Sequence, residues 1–366
     1  MVEPDRIISI RYPRATTGET STPISNRRKW PSFYVFVILL GLSSTLGIIP
    51  NVVFASDHAS LRPRHIVLFY DDYPTRGDPD FQVAMKIVKP LVAYIDRDGK
   101  PRGWMFDSFI FYSRYLYYKS NPTQAYVNSW ISYIFDGGQV RNLDLAVGEL
   151  KVTLGVSSYQ LGVFIAVPVA LGQVDTEHIR RNVDKIMKNW NDLSPANLRL
   201  LGFYWGFTED LNSIAEDRLV VDDTDRAVLS ATADYVHSKG LRLLMIPYRS
   251  AAGKDEFHKL GVDYVTVQPN YMNDPLGDLN RFAKVNTYIN LGFADGPEQE
   301  LPLSVKCCNK NWVSNIQTYK DQSMNYGWNR LINTYYHGSD ISSMGRSTEG
   351  TYRAAYEAIY QYIVSA

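Results

Sequence analysis

The chain has 366 residues, 45% hydrophobic and 13% aromatic, which is enough to bury one barrel-sized core or two smaller ones and excludes a disordered chain. Lys plus Arg and Asp plus Glu stand at 38 each with no long basic block, so the electrostatic footprint of a nucleic-acid binder is missing. The two cysteines, Cys307 and Cys308, are adjacent and support no long-range disulfide framework within the chain; two partly buried thiols are the plain reading.

The first predicted element is Phe33 to Ile49, an uncharged apolar run behind Arg27-Arg28-Lys29. Two readings stay open. Val53-Phe54-Ala55 before Ser56 suits cleavage as an export signal, whereas residues 33–55 are also long enough to span roughly 30 Å of hydrocarbon as an uncleaved anchor. Both leave the basic side in the cytoplasm and export the remainder, so the expected product is secreted or at the cell surface, touching a membrane only through residues 33–55. The chain therefore divides into an N-terminal segment, 1–55, and a folded domain, 60–366.

Beyond residue 60, short apolar runs alternate with segments of helical spacing. The runs are His65 to Tyr70, Gly103 to Phe109, Gly162 to Pro168, Leu198 to Trp205, Leu241 to Pro247, Asp263 to Gln268, Gln299 to Val305 and Leu331 to Tyr336. Between the second and third, Pro122 to Phe135 and Arg141 to Leu154 both read as helices, parted by Asp136-Gly137-Gly138. Asp175 to Trp190 puts Ile179, Val183, Ile186, Met187 and Trp190 on one face; Asp223 to His237 does so with Ala227, Val228, Ala231 and Tyr235; Gly350 to Ile363 does so with Tyr352, Ala355, Tyr356, Ile359 and Ile363. Eight strand-helix units predict an α/β protein of (β/α)8 TIM-barrel type with an extra helix after strand two. The rival, an open doubly wound sheet, lacks its glycine-rich loop after the first strand, where "FYDDYPTRGD" stands instead.

In such a barrel the chemistry sits where the strands end. Strand four ends in "GFYWGFTED": a buried strand finishing in acids needs a compensating reason. If the pleat continues, Trp205 and Phe207 face the axis and Glu209 with them, Asp210 pointing away; a solvated loop is the alternative. In "GPEQELPLSVK" of strand seven, Leu301, Leu303 and Val305 alternate outward and leave Glu298 and Glu300 on the inner side. Strands four and seven face each other across the mouth, so a carboxylate from each flanks one space, the arrangement glycoside cleavage requires; salt-bridged or loop glutamates are the bland alternative. Asp71 and Asp72 end strand one, Asp107 lies in strand two, Tyr248 ends strand five, Gln268, Asn270 and Tyr271 end strand six, and Tyr335 ends strand eight. Together they suit a sugar-binding surface. A metal-dependent deacetylase would also carry two aspartates after strand one, but the six histidines form no H-x-H or H-x-x-x-H pair, and there is no G-x-S-x-G nucleophile motif. No metal or other cofactor is expected.

The stretches "GFYWGFTE", "LMIPYRSAAG", "LGVDYVTVQPNYM" and "EQELPL" give the chain its likeness to a family: over about residues 64 to 364 it resembles the domain of unknown function 4855 family, exported proteins similar to (β/α)8 glycoside hydrolases. By position the resemblance points to Tyr204, Trp205, Glu209, Pro247, Tyr248, Gln268, Pro269, Asn270, Tyr271, Glu298 and Glu300. The seventh strand is more irregular here, which leaves open which glutamate is central. The expectation is an exported, two-carboxylate glycoside hydrolase of retaining type, with Glu209 as acid/base, Glu300 as nucleophile and Glu298 its substitute, acting on a polysaccharide or surface glycan. Asp71, Asp72, Asp107, Trp205, Tyr248, Gln268, Asn270, Tyr271 and Tyr335 are its sugar contacts. The alternative is a non-catalytic glycan-binding or surface structural protein with the same groove.

Overall fold

The computed structural model describes residues 62–70, 83–113, 123–168, 176–206, 223–249, 251, 253, 255–271, 277–300, 312–336, 338–348 and 350–365. The N-terminal segment 1–55, Asp71, Asp72, Glu209, Cys307 and Cys308 lie outside the described residues. Among those described, no helix is long and apolar enough to cross a membrane.

Eight parallel strands close a barrel: β1 (His65–Tyr70), β4 (Ser108–Tyr112), β5 (Leu161–Ala166), β6 (Leu198–Trp205), β7 (Arg242–Met245), β8 (Tyr264–Val267), β9 (Gly296–Gln299) and β10 (Asn333–Tyr335), with β10 returning to β1. This is the expected TIM-type fold. A small antiparallel hairpin, β2 (Ala93–Ile95) and β3 (Pro101–Trp104), stands apart from it. The helices are α1 (Met85–Val92), α2 (Gln124–Phe135), α3 (Gln139–Leu154), α4 (Thr176–Leu193), α5 (Asp223–Ser238), α6 (Asn280–Asn290), α7 (Trp312–Asn325), α8 (Gly338–Arg346) and α9 (Gly350–Val364). Both α2 and α3 lie between β4 and β5, so the extra helix after barrel strand two is present.

The strands form where β-branched and aromatic residues run together, because barrel strands are covered on both faces. β5, LGVFIA, is buried at every position, and α4 buries Ile179, Val183, Ile186 and Trp190 as its spacing predicts. In α5 the buried set is Val228, Leu229, Thr232, Ala233 and Val236; Ala227 is exposed and Ala231 and Tyr235 only half-buried, so the stripe is rotated from the expected one.

Two strands differ from expectation in their bounds. The run 103–109 is split: Pro101–Trp104 pairs with Ala93–Ile95 outside the barrel, and the barrel strand begins at Ser108. The separators are Met105, Phe106 and Asp107; the N–H groups of the first two bond the carbonyls of Val92 and Leu91 at the end of α1, and that of Asp107 bonds the His65 carbonyl. The one mark of this break in the sequence is Asp107, which parts the apolar Trp104-Met105-Phe106 from the barrel strand. The seventh strand is Gly296–Gln299 and not 299–305; residues 301–305 lie outside the described residues. It starts after Asp295, whose carboxylate accepts the Val265 N–H at 2.9 Å. Only glycine fits at 296, since a Cβ there would stand 1.8 Å from the Ile332 carbonyl oxygen.

Contacts between non-adjacent strands fix which side chains face the axis. Thr266 of β8 and Thr334 of β10 share a 2.8 Å hydroxyl hydrogen bond across β9, and Tyr112 of β4 meets Tyr204 of β6 edge-on at 5.5 Å across β5. Alternation then sends Phe69, Phe109 and Phe111 outward, where the rings pack on one another at 5.4 and 4.9 Å.

Candidate active site

At the C-terminal ends of the strands, Tyr248, Gln268 and Glu298 form one row. Tyr248 bridges Gln268 just past β7 and β8, with the Gln268 N–H donating to the Pro247 carbonyl at 3.0 Å. One step beyond the Val267 and Pro297 pair, Gln268 stands level with Glu298, which itself pairs with Thr334. All three share the parity of Thr266 and so face the axis. Glu298 is 0% exposed and both its carboxylate oxygens are shut off from solvent. A carboxylate taken from water to the inside of a barrel is costly, so its place calls for a function. Tyr112 of β4 and Tyr204 of β6 add two buried rings to the same axis face.

Glu300 stands elsewhere. It follows the last residue of β9, where the pleat no longer dictates facing, and its Oε2 accepts the Tyr271 N–H at 2.7 Å and the Tyr319 hydroxyl. Tyr319 belongs to α7 and packs edge-on against Phe282 of α6 at 4.9 Å. Burial, then the Glu300 charge, hold its phenol well above the ordinary range, so it remains a donor. The neighbouring Gln299 also reaches α7, donating to Ser323 Oγ at 2.8 Å. Glu300 thus ties the barrel rim to the helix layer, and the axis position expected for it is held by Glu298.

The remaining expected contacts divide. Asn270 adopts a left-handed backbone (φ 56°) and its carbonyl accepts a hydrogen bond from Arg281, so it shapes the turn after β8. The Tyr271 ring packs on Phe282 at 4.9 Å, in the helix layer. Trp205 faces outward, because a bulge in the β5–β6 pairing, Val163 with Leu200 and then Phe164 with Gly202, skips Leu201 and reverses the alternation; Tyr204 takes the axis. The alternation of Ser108, Ile110 and Tyr112 against Phe109 and Phe111 in "SFIFY" was the signal for its partner Tyr112.

Two residues expected at the mouth lie away from it. Asp107 precedes β4, at the N-terminal end of the barrel. Its Oδ2 accepts the N–H groups of Arg64 (2.8 Å) and His65 (3.2 Å), and its Oδ1 the Ser108 hydroxyl (2.9 Å). Burial pushes its carboxyl up to about 6 in spite of these bonds. Tyr335 has the outward parity opposite to Thr334, and its hydroxyl meets His65 Nδ1 at 2.9 Å. Burial, with Arg64 nearby, holds His65 down at about 3, so the ring is neutral. Both residues serve the closed end of the barrel. Among the described residues, no cluster of three or more His, Cys, Asp or Glu is placed to hold a metal ion.

No curated protein matches the chain in sequence. Among solved structures it is similar to a GH18 chitinase from Pseudoalteromonas aurantia, at 11% identity over 81% of this chain and 99% of that one, with a TM-score of 0.42. A glycoside hydrolase family 5 enzyme from Prevotella bryantii B14 gives 15% identity, 76% and 85% coverage and 0.40. A family 2 AP endonuclease from Brucella melitensis gives 14%, 75%, 93% and 0.37. Likeness at this level carries no argument about activity. The profile described as "Domain of unknown function (DUF4855)" matches residues 75–183 and 176–361, most of the chain, and the protein belongs to that family.

Proposed function

We propose that the protein is an exported glycoside hydrolase acting on a polysaccharide or surface glycan through two carboxylates. The observation that carries the reading is the row of Tyr248, Gln268 and Glu298 on the axis face at the strand ends, with Glu298 wholly buried. In this reading Glu298 is the strand-seven carboxylate that attacks the anomeric carbon or activates water, and Gln268 and Tyr248 hydrogen-bond sugar hydroxyls. Glu209, four residues beyond the end of β6, supplies the proton to the leaving oxygen. Glu300 is an anchor, not the nucleophile. Export through residues 33–55 gives such an enzyme access to glycans outside the cell.

The test is a polysaccharide screen read by released reducing ends and by binding. Glu298→Gln should lower turnover on the responding substrate by about 100-fold or more while binding survives. Binding without turnover in the wild-type protein would replace this reading with that of a glycan-binding protein.

A further inference from the structure

On the rim of the barrel, the turn Gln268-Pro269-Asn270-Tyr271 that follows β8 is fastened by side chains from three other segments. The Gln268 carbonyl accepts the Arg249 N–H at 3.1 Å and the Pro269 carbonyl accepts Arg249 Nε at 3.0 Å. The Asn270 carbonyl accepts Arg281 of α6, and the Tyr271 N–H donates to Glu300 at 2.7 Å. Four successive residues are thereby held in one shape without belonging to a helix or strand.

Two groups on this turn are left over. Arg249 is half-buried; with Nε on Pro269, its Nη1–Nη2 edge is open, and no carboxylate among the described residues pairs with it. A cation that has lost part of its water is normally paired, so an open guanidinium edge points to a partner from outside the chain. Asn270 holds a φ of 56°, and its side-chain amide bonds nothing among the described residues. Glycine would take that backbone without strain, so what asparagine adds there is the amide. Tyr248, the residue before Arg249, and Gln268, two before Asn270, belong to the row on the axis face, so the turn borders the same site.

We propose that Arg249 and Asn270 form a subsite for the carboxylate of an acidic sugar, so that the glycan taken at the mouth contains uronic acid. This rests on the glycan reading of the barrel mouth given above. A planar carboxylate matches the free guanidinium edge with two parallel hydrogen bonds, and the Asn270 amide can donate to a neighbouring sugar oxygen. A turn fixed beforehand lowers the ordering cost of binding.

The experiment titrates the full protein, at fixed ionic strength, with polygalacturonate, alginate and hyaluronan, each before and after chemical reduction of its carboxyl groups to neutral hydroxymethyl groups. Released reducing ends are read in parallel. At least one acidic polymer should bind, about ten-fold or more tighter than its reduced form. Arg249→Gln should bring the two forms to about equal affinity, and Arg249→Lys, which keeps the charge but not the planar edge, should fall between. Asn270→Gly should weaken the acidic polymer about three-fold or more while the thermal midpoint holds or rises, since glycine relieves the backbone; a purely turn-forming asparagine would leave binding untouched. Asp274 lies outside the described residues, and Asp274→Asn checks it as an internal partner: the ratio of the two forms should change by less than about two-fold. A ten-fold rise in that ratio would mean that the chain's own carboxylate occupies Arg249, and would overturn the proposal. Equal affinity of the two forms for the wild-type protein, or a ratio unmoved in Arg249→Gln, would overturn it too. Binding or cleavage of neutral glycans alone would end the acidic subsite and leave the hydrolase reading standing, whereas no response to any polymer, acidic or neutral, would end both.

Discussion

Asp107 and His65 meet at the closed end of the barrel, and their protonation should pull stability in opposite directions as pH changes. Asp107 has its pKa raised from an ordinary 3.8 to about 6. Between those values the folded protein binds a proton that the unfolded chain has released, so stability falls as pH rises, by about 1.4 kcal/mol per pH unit and about 3 kcal/mol in all. His65 is lowered from 6.5 to about 3. There the unfolded chain takes up a proton that the folded protein refuses, so stability rises with pH across that window, by about 5 kcal/mol. From about pH 4 to pH 6 the two slopes oppose each other in the wild-type protein. Asp107→Asn keeps the shape and an acceptor for the Arg64 and His65 N–H groups but removes the charge. Its stability relative to wild type should climb by about 3 kcal/mol from pH 4 to pH 6. His65→Asn can place an oxygen where Nδ1 meets the Tyr335 hydroxyl, and relative to wild type it should fall by about 3 kcal/mol over the same range. Urea midpoints at fixed ionic strength, read at half-unit steps of pH, measure both differences. Curves for the two variants that run parallel to wild type would refute the reasoning, since other titrating groups cancel in the comparison.

Tyr319→Phe removes the hydroxyl that Glu300 accepts while keeping the ring on Phe282, and should cost about 1.5–3 kcal/mol, seen as a lower thermal midpoint; an unchanged midpoint would mean that Glu300 is not an anchor. Gly296→Ala drives a Cβ onto the Ile332 carbonyl at 1.8 Å, so it should cost more than about 4 kcal/mol and leave little soluble protein. A soluble Ala variant with a wild-type melting curve would contradict the placement of β9.

Much of the barrel is legible in the sequence. His65–Tyr70 and Leu198–Trp205 carry the same bounds in both, because a largely apolar run that ends in aromatic side chains suits a strand covered on both faces wherever it lies. The seventh strand is different: "GPEQ" is polar, and it is a strand because β8 and β10 pair with it on both sides. Hydropathy therefore placed it a few residues late. Facing was also beyond a single sequence, since the count from Leu198 sends Trp205 inward until the bulge at Leu201 is known, and that bulge belongs to the pairing with β5.

The two glutamates of strand seven show the same division. Their composition and spacing mark both as inward acids, and only the tertiary structure separates them. Glu298 stays within the pleat, held to the axis by its neighbours; Glu300 lies one residue past it and is claimed by a backbone N–H 29 positions away in sequence and a hydroxyl 19 positions away. Periodicity is a property of one segment and can be read from it. Register and the choice of hydrogen-bond partner are properties of pairs of segments, and they exist only once the barrel has closed.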